Sequence, residues 1–234
     1  VLYDNGDSWW DRIRTSLHVK WAEDEEGELA EHEFTYRFGI GGPMQSWFQV
    51  ALVDAREREE GILYDMKQLR AYVEMQPTSG LQFSIITIMG DQIDYSNDRL
   101  GKKWSIQPNI AWNLSRNLLL RVRSVYTELE TQEGEPIFDA MLADTRLTWQ
   151  FNLRSFLRLT VQYQDVERNT DLYIDEEEAH EKEVGRQLLY SYKLNPQTVF
   201  FLGYSDNYIN DDSLDKLTVS DRNWFMKIGY AWAP

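Results

Sequence analysis

Apolar and polar residues alternate with a period of two along most of this chain. Ile13, Thr15, Leu17, Val19 and Trp21 share one parity, and Arg12, Arg14, Ser16, His18 and Lys20 the other. Successive side chains of a strand point to opposite faces, so such a stretch predicts a strand with one apolar face. The same reading applies to Phe34–Ile40, Phe48–Leu52, Leu69–Met75, Trp104–Leu114 and Leu118–Tyr126, while Leu81–Met89 is ambiguous, because Ile86 and Ile88 join Gln82 and Ser84 on its other face. It continues through Met141–Phe151, Leu157–Tyr163, Leu188–Leu194, Phe200–Tyr204 and Trp224–Trp232. Short turns, such as Gly41–Pro43, Pro77–Gly80 and Asn195–Thr198, alternate with long polar loops. Those loops are predicted over Ala22–Glu33, Asp54–Lys67, Asp91–Lys102, Thr127–Asp139, Asp165–Glu183 and Ser205–Asp221. Pro108 cannot donate to a ladder and predicts a bulge or a local edge.

This pattern predicts an all-β chain, a transmembrane antiparallel up-and-down β-barrel of about twelve strands. One domain spans 1–234, with 1–8 as a periplasmic lead-in. No run approaches the roughly 18 apolar residues of a membrane helix, but barrel strands hide their apolarity in alternation. Aromatic residues, among them Trp21, Trp104, Trp112, Tyr126, Trp149, Tyr163 and Trp232, fall near strand ends, where amphipathic rings suit a membrane interface. The competing fold is a soluble β-sandwich, which needs two sheets and usually shorter strands. Short periplasmic turns, long external loops and an even strand count place the protein in a bacterial outer membrane with both termini in the periplasm.

Composition narrows the function classes. The 234 residues carry a net charge of −15, no Cys, 42% hydrophobic and 14% aromatic residues. An acidic chain is a poor nucleic-acid binder, which needs a basic surface. Lack of Cys removes disulfides, thiol nucleophiles and Cys metal sites. The sequence begins at Val1 without a signal peptide, as a processed chain or an excised piece would. The expected partners are outer-membrane lipid, lipopolysaccharide, the barrel-assembly machinery and, on the second functional reading below, a protein in the membrane.

Charge is sorted by parity. Arg12, Arg14, Lys20, Arg37, Arg70, Arg121, Arg123, Arg146, Arg158, Lys193 and Lys227 all fall opposite the apolar face, joined by the acids Glu74 and Asp144. They are the predicted lumen-lining residues. A barrel interior must be polar in any case, so arginines that fill space account for much of the pattern. The sharper reading is a positively lined conduit for small anionic solutes. Twelve strands lie between the side-chain-filled barrel of eight and the water channel of sixteen, so a closed barrel acting structurally or through its loops is the alternative. Acids crowd the loops at Glu23–Glu28 and Asp175–Glu183. They lack EF-hand spacing, and no metal site or cofactor is expected. Ser16 and His18 share one strand face, as a nucleophile and base would, but no third orienting residue can be assigned. The chain is therefore not expected to be an enzyme, a membrane hydrolase being the least favoured reading. Gly229, Tyr230 and Trp232 fit a terminal assembly signal for outer-membrane insertion.

Tyr192, Asn195, Pro196, Thr198, Phe200, Gly203 and Tyr204, followed by the closing RNWFMKIGYAW, carry a resemblance. This segment resembles the C-terminus of a family of bacterial barrel domains of unknown function, often found after a module similar to carbohydrate-binding family 9. TRLTWQFNLRSFLRLTVQY and MQPTSGLQF are similar in style. The resemblance covers about the last half of the chain and implies an outer-membrane barrel with no defined activity.

Overall fold

A computed structural model describes residues 1–3, 8–25, 27–195 and 197–231. They form one 13-stranded antiparallel sheet in which each strand pairs with its sequence neighbours. The strands are β1 (Leu2–Tyr3), β2 (Arg12–Glu23), β3 (Leu29–Gly42), β4 (Ser46–Glu59), β5 (Ile62–Thr78), β6 (Leu81–Asp94) and β7 (Arg99–Ser115). There follow β8 (Leu118–Thr131), β9 (Pro136–Asn152), β10 (Ser155–Arg168), β11 (His180–Asn195), β12 (Thr198–Asn210) and β13 (Thr218–Tyr230). The twelve long strands, β2–β13, are those the alternation predicts. Pro196 and Trp232 lie outside the described residues.

Two expectations need correction. The sheet carries a further strand, β1, and it is not closed, since β2 and β13 are not paired. The outer edge of β2 is taken at its first residues, where Leu2 faces Ile13 and Tyr3 faces Arg12. The long loops are also much shorter than expected, because the strands run on into the charged stretches. Asp54 to Lys67 is mostly ladder, turned at Glu60 and Gly61, both in the left-handed backbone region. Backbone pairing is indifferent to side-chain polarity, and cross-strand charges can even assist it, as between Arg56 and Asp65 at 2.6 Å. At Pro108 the ladder to β8 is interrupted between Ile106–Tyr126 and Asn109–Arg123 with no inserted residue, so there is a gap and no bulge.

The register stacks the apolar parities into one belt. On β4–β6 it joins Leu52 to Leu69 to Met89, and on β8–β11 it joins Leu120 to Leu147 to Leu159 to Leu188. Leu52, Leu69, Met89, Leu159 and Leu188 are exposed, Leu52 at 56%, whereas Leu120 and Leu147 are half-buried. Pairing rows also climb through the belt. The row from Trp224 on β13 begins at the charged edge of the belt and reaches Leu81, at a short turn, on β6. Such a stagger means tilted strands, the geometry a barrel wall requires. Buried apolar side chains cluster instead near the loop side, where Tyr64, Met66 and Ile93 pack with Ala55 and Leu100. The Tyr64 hydroxyl donates to the carbonyl of Asp98 at 2.6 Å.

Candidate functional site

Above the belt the same face becomes charged. Met89 gives way to Asp91, Tyr126 to Glu128, Tyr163 to Asp165 and Tyr204 to Asp206. Two of these steps repeat one device. The Tyr163 hydroxyl donates to Asp165, which pairs with Lys182 at 2.8 Å on the next strand. The Tyr204 hydroxyl donates to Asp206 at 2.9 Å, and Arg186 holds that carboxylate through Nε and Nη2 at 2.8 and 2.7 Å. Asp206 is only 3% exposed, so its charge depends on this bidentate partner. The two devices fix tyrosine hydroxyls at the upper border of the belt.

The opposite face carries every predicted lumen-lining residue. The register places Arg12, Arg14, Lys20, Arg37 and Arg70 there on β2, β3 and β5, and Arg121, Arg123, Arg146 and Arg158 on β8–β10. Lys193 and Lys227 follow on β11 and β13. The structure does not gather them into one ring, and their surroundings differ. The guanidiniums of Arg12 and Arg14 lie over the Trp47 ring, 4.7 and 5.9 Å from its centroid. Trp47 in turn covers Gly39, where a Cβ would stand 2.2 Å from the ring. Lys20 pairs with Glu31, and Arg70 donates to Gln68.

On β8–β10 the arginines come together. Arg121 stands directly opposite Arg146, and Arg123 opposite Asp144. Arg158 lies opposite Thr148, one step diagonal to Arg146, with its guanidinium 4.9 Å from the Phe156 ring centroid and its Nε donating to Thr148 Oγ1 at 3.3 Å. Asp144 is the one carboxylate in the group, and its ion pair is with Arg146 at 3.7 Å. Arg121 and Arg123 make no ion pair among the described residues. A depression of about 250 Å³ opens beside them, lined also by Gln82, Ser84 and Asn109. A larger cavity of about 620 Å³ starts at Arg123 and extends to β13, but Asp144, Glu183 and Asp221 line it too.

Sequence reasoning misses Trp47 and Phe156, and it puts Ser84 and Asn109 opposite the apolar parity without giving them a role. Trp47 has a usable signal, since it lies on the polar parity of its strand, directly opposite Gly41.

The loop side is partly crossed. Residues 169–179 reach from β10 to the β6–β7 turn, where the Ile174 amide donates to Asn97 Oδ1 at 2.9 Å. Beneath lies a cavity of about 330 Å³ whose lining includes Glu59, Glu60, Asp98, Asp175 and Glu177. Among the described residues no three metal-ligating side chains converge. Ser16 and His18 stand two apart on the face of β2 opposite Leu17 and Val19, with no hydrogen bond between them among the described residues. Of the terminal signal, Gly229 and Tyr230 pair with Val199 and Thr198, whereas Trp232 lies outside the described residues.

No family model and no curated protein matches the chain. Solved structures do. OmpT, an outer membrane protein of Vibrio cholerae folded in vitro, matches at 12% identity over 98% of this chain and 87% of its own, with a TM-score of 0.46. The NanC porin matches at 10% identity over 93% and 100%, with a TM-score of 0.38. Likenesses this distant transfer no function. They do correct one expectation, that the chain is not an enzyme. The set is mixed, with one neighbour described only as an outer membrane protein and the other as a porin, so a non-enzymatic role does not follow.

Proposed function

We propose that this chain is an outer-membrane barrel wall enclosing a narrow passage for small polar solutes, with anions favoured along β8–β10. The observation that carries this reading is the contrast between the two faces. One is an apolar belt, exposed for example at Trp104, Ile110, Trp112 and Leu114, whose span is about the 9–11 residues that suit a tilted transmembrane strand. Soluble monomers rarely expose apolar patches of more than a few hundred Å². The other face holds guanidiniums without carboxylate partners, which attract anions wherever water reaches them. In this reading the short turns and both chain ends are periplasmic, and the charged strand ends meet lipopolysaccharide. Kinship with the barrel domains that follow a carbohydrate-binding module is part of the proposal, supported by the residues of the β11–β12 hairpin.

The test is the reversal potential of the purified barrel in a KCl gradient, compared with an Arg121→Gln/Arg123→Gln double variant. Anion preference that weakens in the variant is the expected result, and cation preference overturns it. A second reading has one specific support, the segment 169–179 anchored on Asn97 across the loop side. If that segment seals the opening, the barrel conducts nothing and acts through its loops.

A further inference from the structure

Arg121, Arg123, Arg146 and Arg158 form an expensive arrangement if nothing occupies it. Like charges directly opposite on adjacent strands destabilise a sheet, and Arg121 and Arg146 are such a pair. Near the loop side, by contrast, several arginines have acid partners. Arg99 sits 2.9 Å from Asp94, Arg168 2.9 Å from Glu181, and Arg186 2.7 Å from Asp206. Here, among the described residues, four positive charges share one carboxylate, and the two guanidiniums that line open space, Arg121 and Arg123, have no ion pair.

The open space has the right lining. The depression of about 250 Å³ between β6 and β8 presents Arg121 and Arg123 from one side, and the neutral groups of Gln82, Ser84 and Asn109 from the other. The register accounts for this, because Asn109 lies between Ser84 on β6 and Arg123 on β8. Guanidiniums are planar, permanently charged and matched to the paired oxygens of carboxylate and phosphate. Gln82 Nε2 already donates to Glu74, which stands opposite Ser84, at 2.6 Å, and Asn109 Nδ2 to the Gln107 carbonyl at 3.3 Å, so each amide keeps one N–H for the remaining oxygens. The larger cavity beside it is unsuitable, since Asp144, Glu183 and Asp221 outnumber its single arginine.

We propose that this depression is a saturable binding station for a doubly charged oxyanion. Arg121 and Arg123 clasp it, Arg146 and Arg158 supply the surrounding positive field, and Asn109 and Ser84 complete the hydrogen bonds. The inference rests on the reading of this face as a lumen, and it adds a site to what would otherwise be a charged lining. A permeating dianion would pause there, whereas chloride would be attracted without being held.

Two measurements test it with inorganic phosphate as the probe. In planar bilayers, phosphate added to a chloride background should block current with a saturable dose dependence. Arg121→Gln/Arg123→Gln should weaken the block at least tenfold, Arg121→Lys/Arg123→Lys should weaken it less, and Arg116→Gln, in an exposed turn, should leave it unchanged. Titration calorimetry of the detergent-solubilised barrel reads binding without requiring conduction. Phosphate binding that the Gln pair abolishes, in a barrel that carries no current, upholds the station and removes the passage. Anion-selective current with linear, unsaturable phosphate dependence upholds the passage and overturns the station. Equal phosphate affinity in wild type and the Gln pair also overturns it.

Discussion

Two groups of arginines share the face of the sheet opposite the apolar belt and are held in opposite ways. Arg12 and Arg14 lie over Trp47, which fills the gap above Gly39. Arg121, Arg123, Arg146 and Arg158 face one another around one acid. The first group is packing, in which cationic heads stack on a ring and stiffen the wall. The second group lowers the stability of the wall and must be offset elsewhere. A polar interior alone explains the first group but not the second, because any mixture of Gln, Ser and Thr would satisfy it more cheaply. Residue type and facing direction are therefore insufficient to tell lining from site; the surroundings of each guanidinium decide.

The largest effect expected from breaking this comparison is at Trp47. Trp47→Ala removes a large, half-buried ring and its two stacked cations, and should destabilise the barrel by about 2–4 kcal/mol, toward the low end of buried Trp truncations. Gly39→Val, which drives side-chain atoms into the ring, should cost about 1–3 kcal/mol. Both are read from the urea midpoint of unfolding from lipid vesicles. Neither should alter ion preference. A changed reversal potential in Trp47→Ala would show that Arg12 and Arg14 belong to the conducting surface after all.

Opposite signs should appear when one arginine is taken from each group. Arg12→Gln loses its cation–π contact and should lower stability by about 0.5–1 kcal/mol. Arg121→Gln relieves the like-charge pair with Arg146 and should raise stability by about 0.2–1 kcal/mol. The same urea midpoints check this, and two shifts of the same sign would remove the distinction between the groups.

The strands and the direction each residue faces are legible in the sequence, whereas the neighbours across strands are not. Alternation marks a face because it is a property of one strand, so Arg121, Arg146 and Arg158 can be assigned individually to the face opposite the belt. That Arg121 stands opposite Arg146 depends on register across the β8–β9 connection and on the turns at either end, which the alternation does not encode. Strand ends are hidden for a related reason. Asp54 to Lys67 looks like a loop by composition, yet the ladder continues through it because the backbone supplies its bonds. Closure is a third case. An even count of twelve suggests a sealed wall, while Leu2 and Tyr3, too short to register as a strand, occupy the edge of β2.

A smaller effect follows at Asp144. It is the only acid among the four arginines, so Asp144→Asn should strengthen anion preference in the reversal-potential measurement. It should also cost some stability, because Arg146 loses its 3.7 Å ion pair. An unchanged potential would mean that Asp144 already carries no weight in the field at the station, and that the partially exposed pair is screened.

The smallest effect lies outside the wall, where an acid is held as firmly as the station's arginines are not. Asp212, in the β12–β13 loop, accepts hydrogen bonds from the Ala179 and His180 amides and faces the His180 ring at 3.2 Å. It thereby ties the end of segment 169–179 to the neighbouring loop. The Ala179 amide, chiefly, holds the Asp212 carboxyl below the ordinary value of 3.8. The folded value is depressed, so the tether is complete above pH 3.8 and is lost as the pH falls through the lower folded value. Amide hydrogen exchange at Ala179 should therefore stay slow from about pH 7 down to about 4, after correction for intrinsic rates, and accelerate only below that. Asp212→Asn should accelerate it at every pH while leaving reversal potential and phosphate block as in the wild type. Acceleration already under mildly acidic conditions would reassign the tether to another group. A shift in ion preference in Asp212→Asn would show that segment 169–179 takes part in gating the passage it crosses.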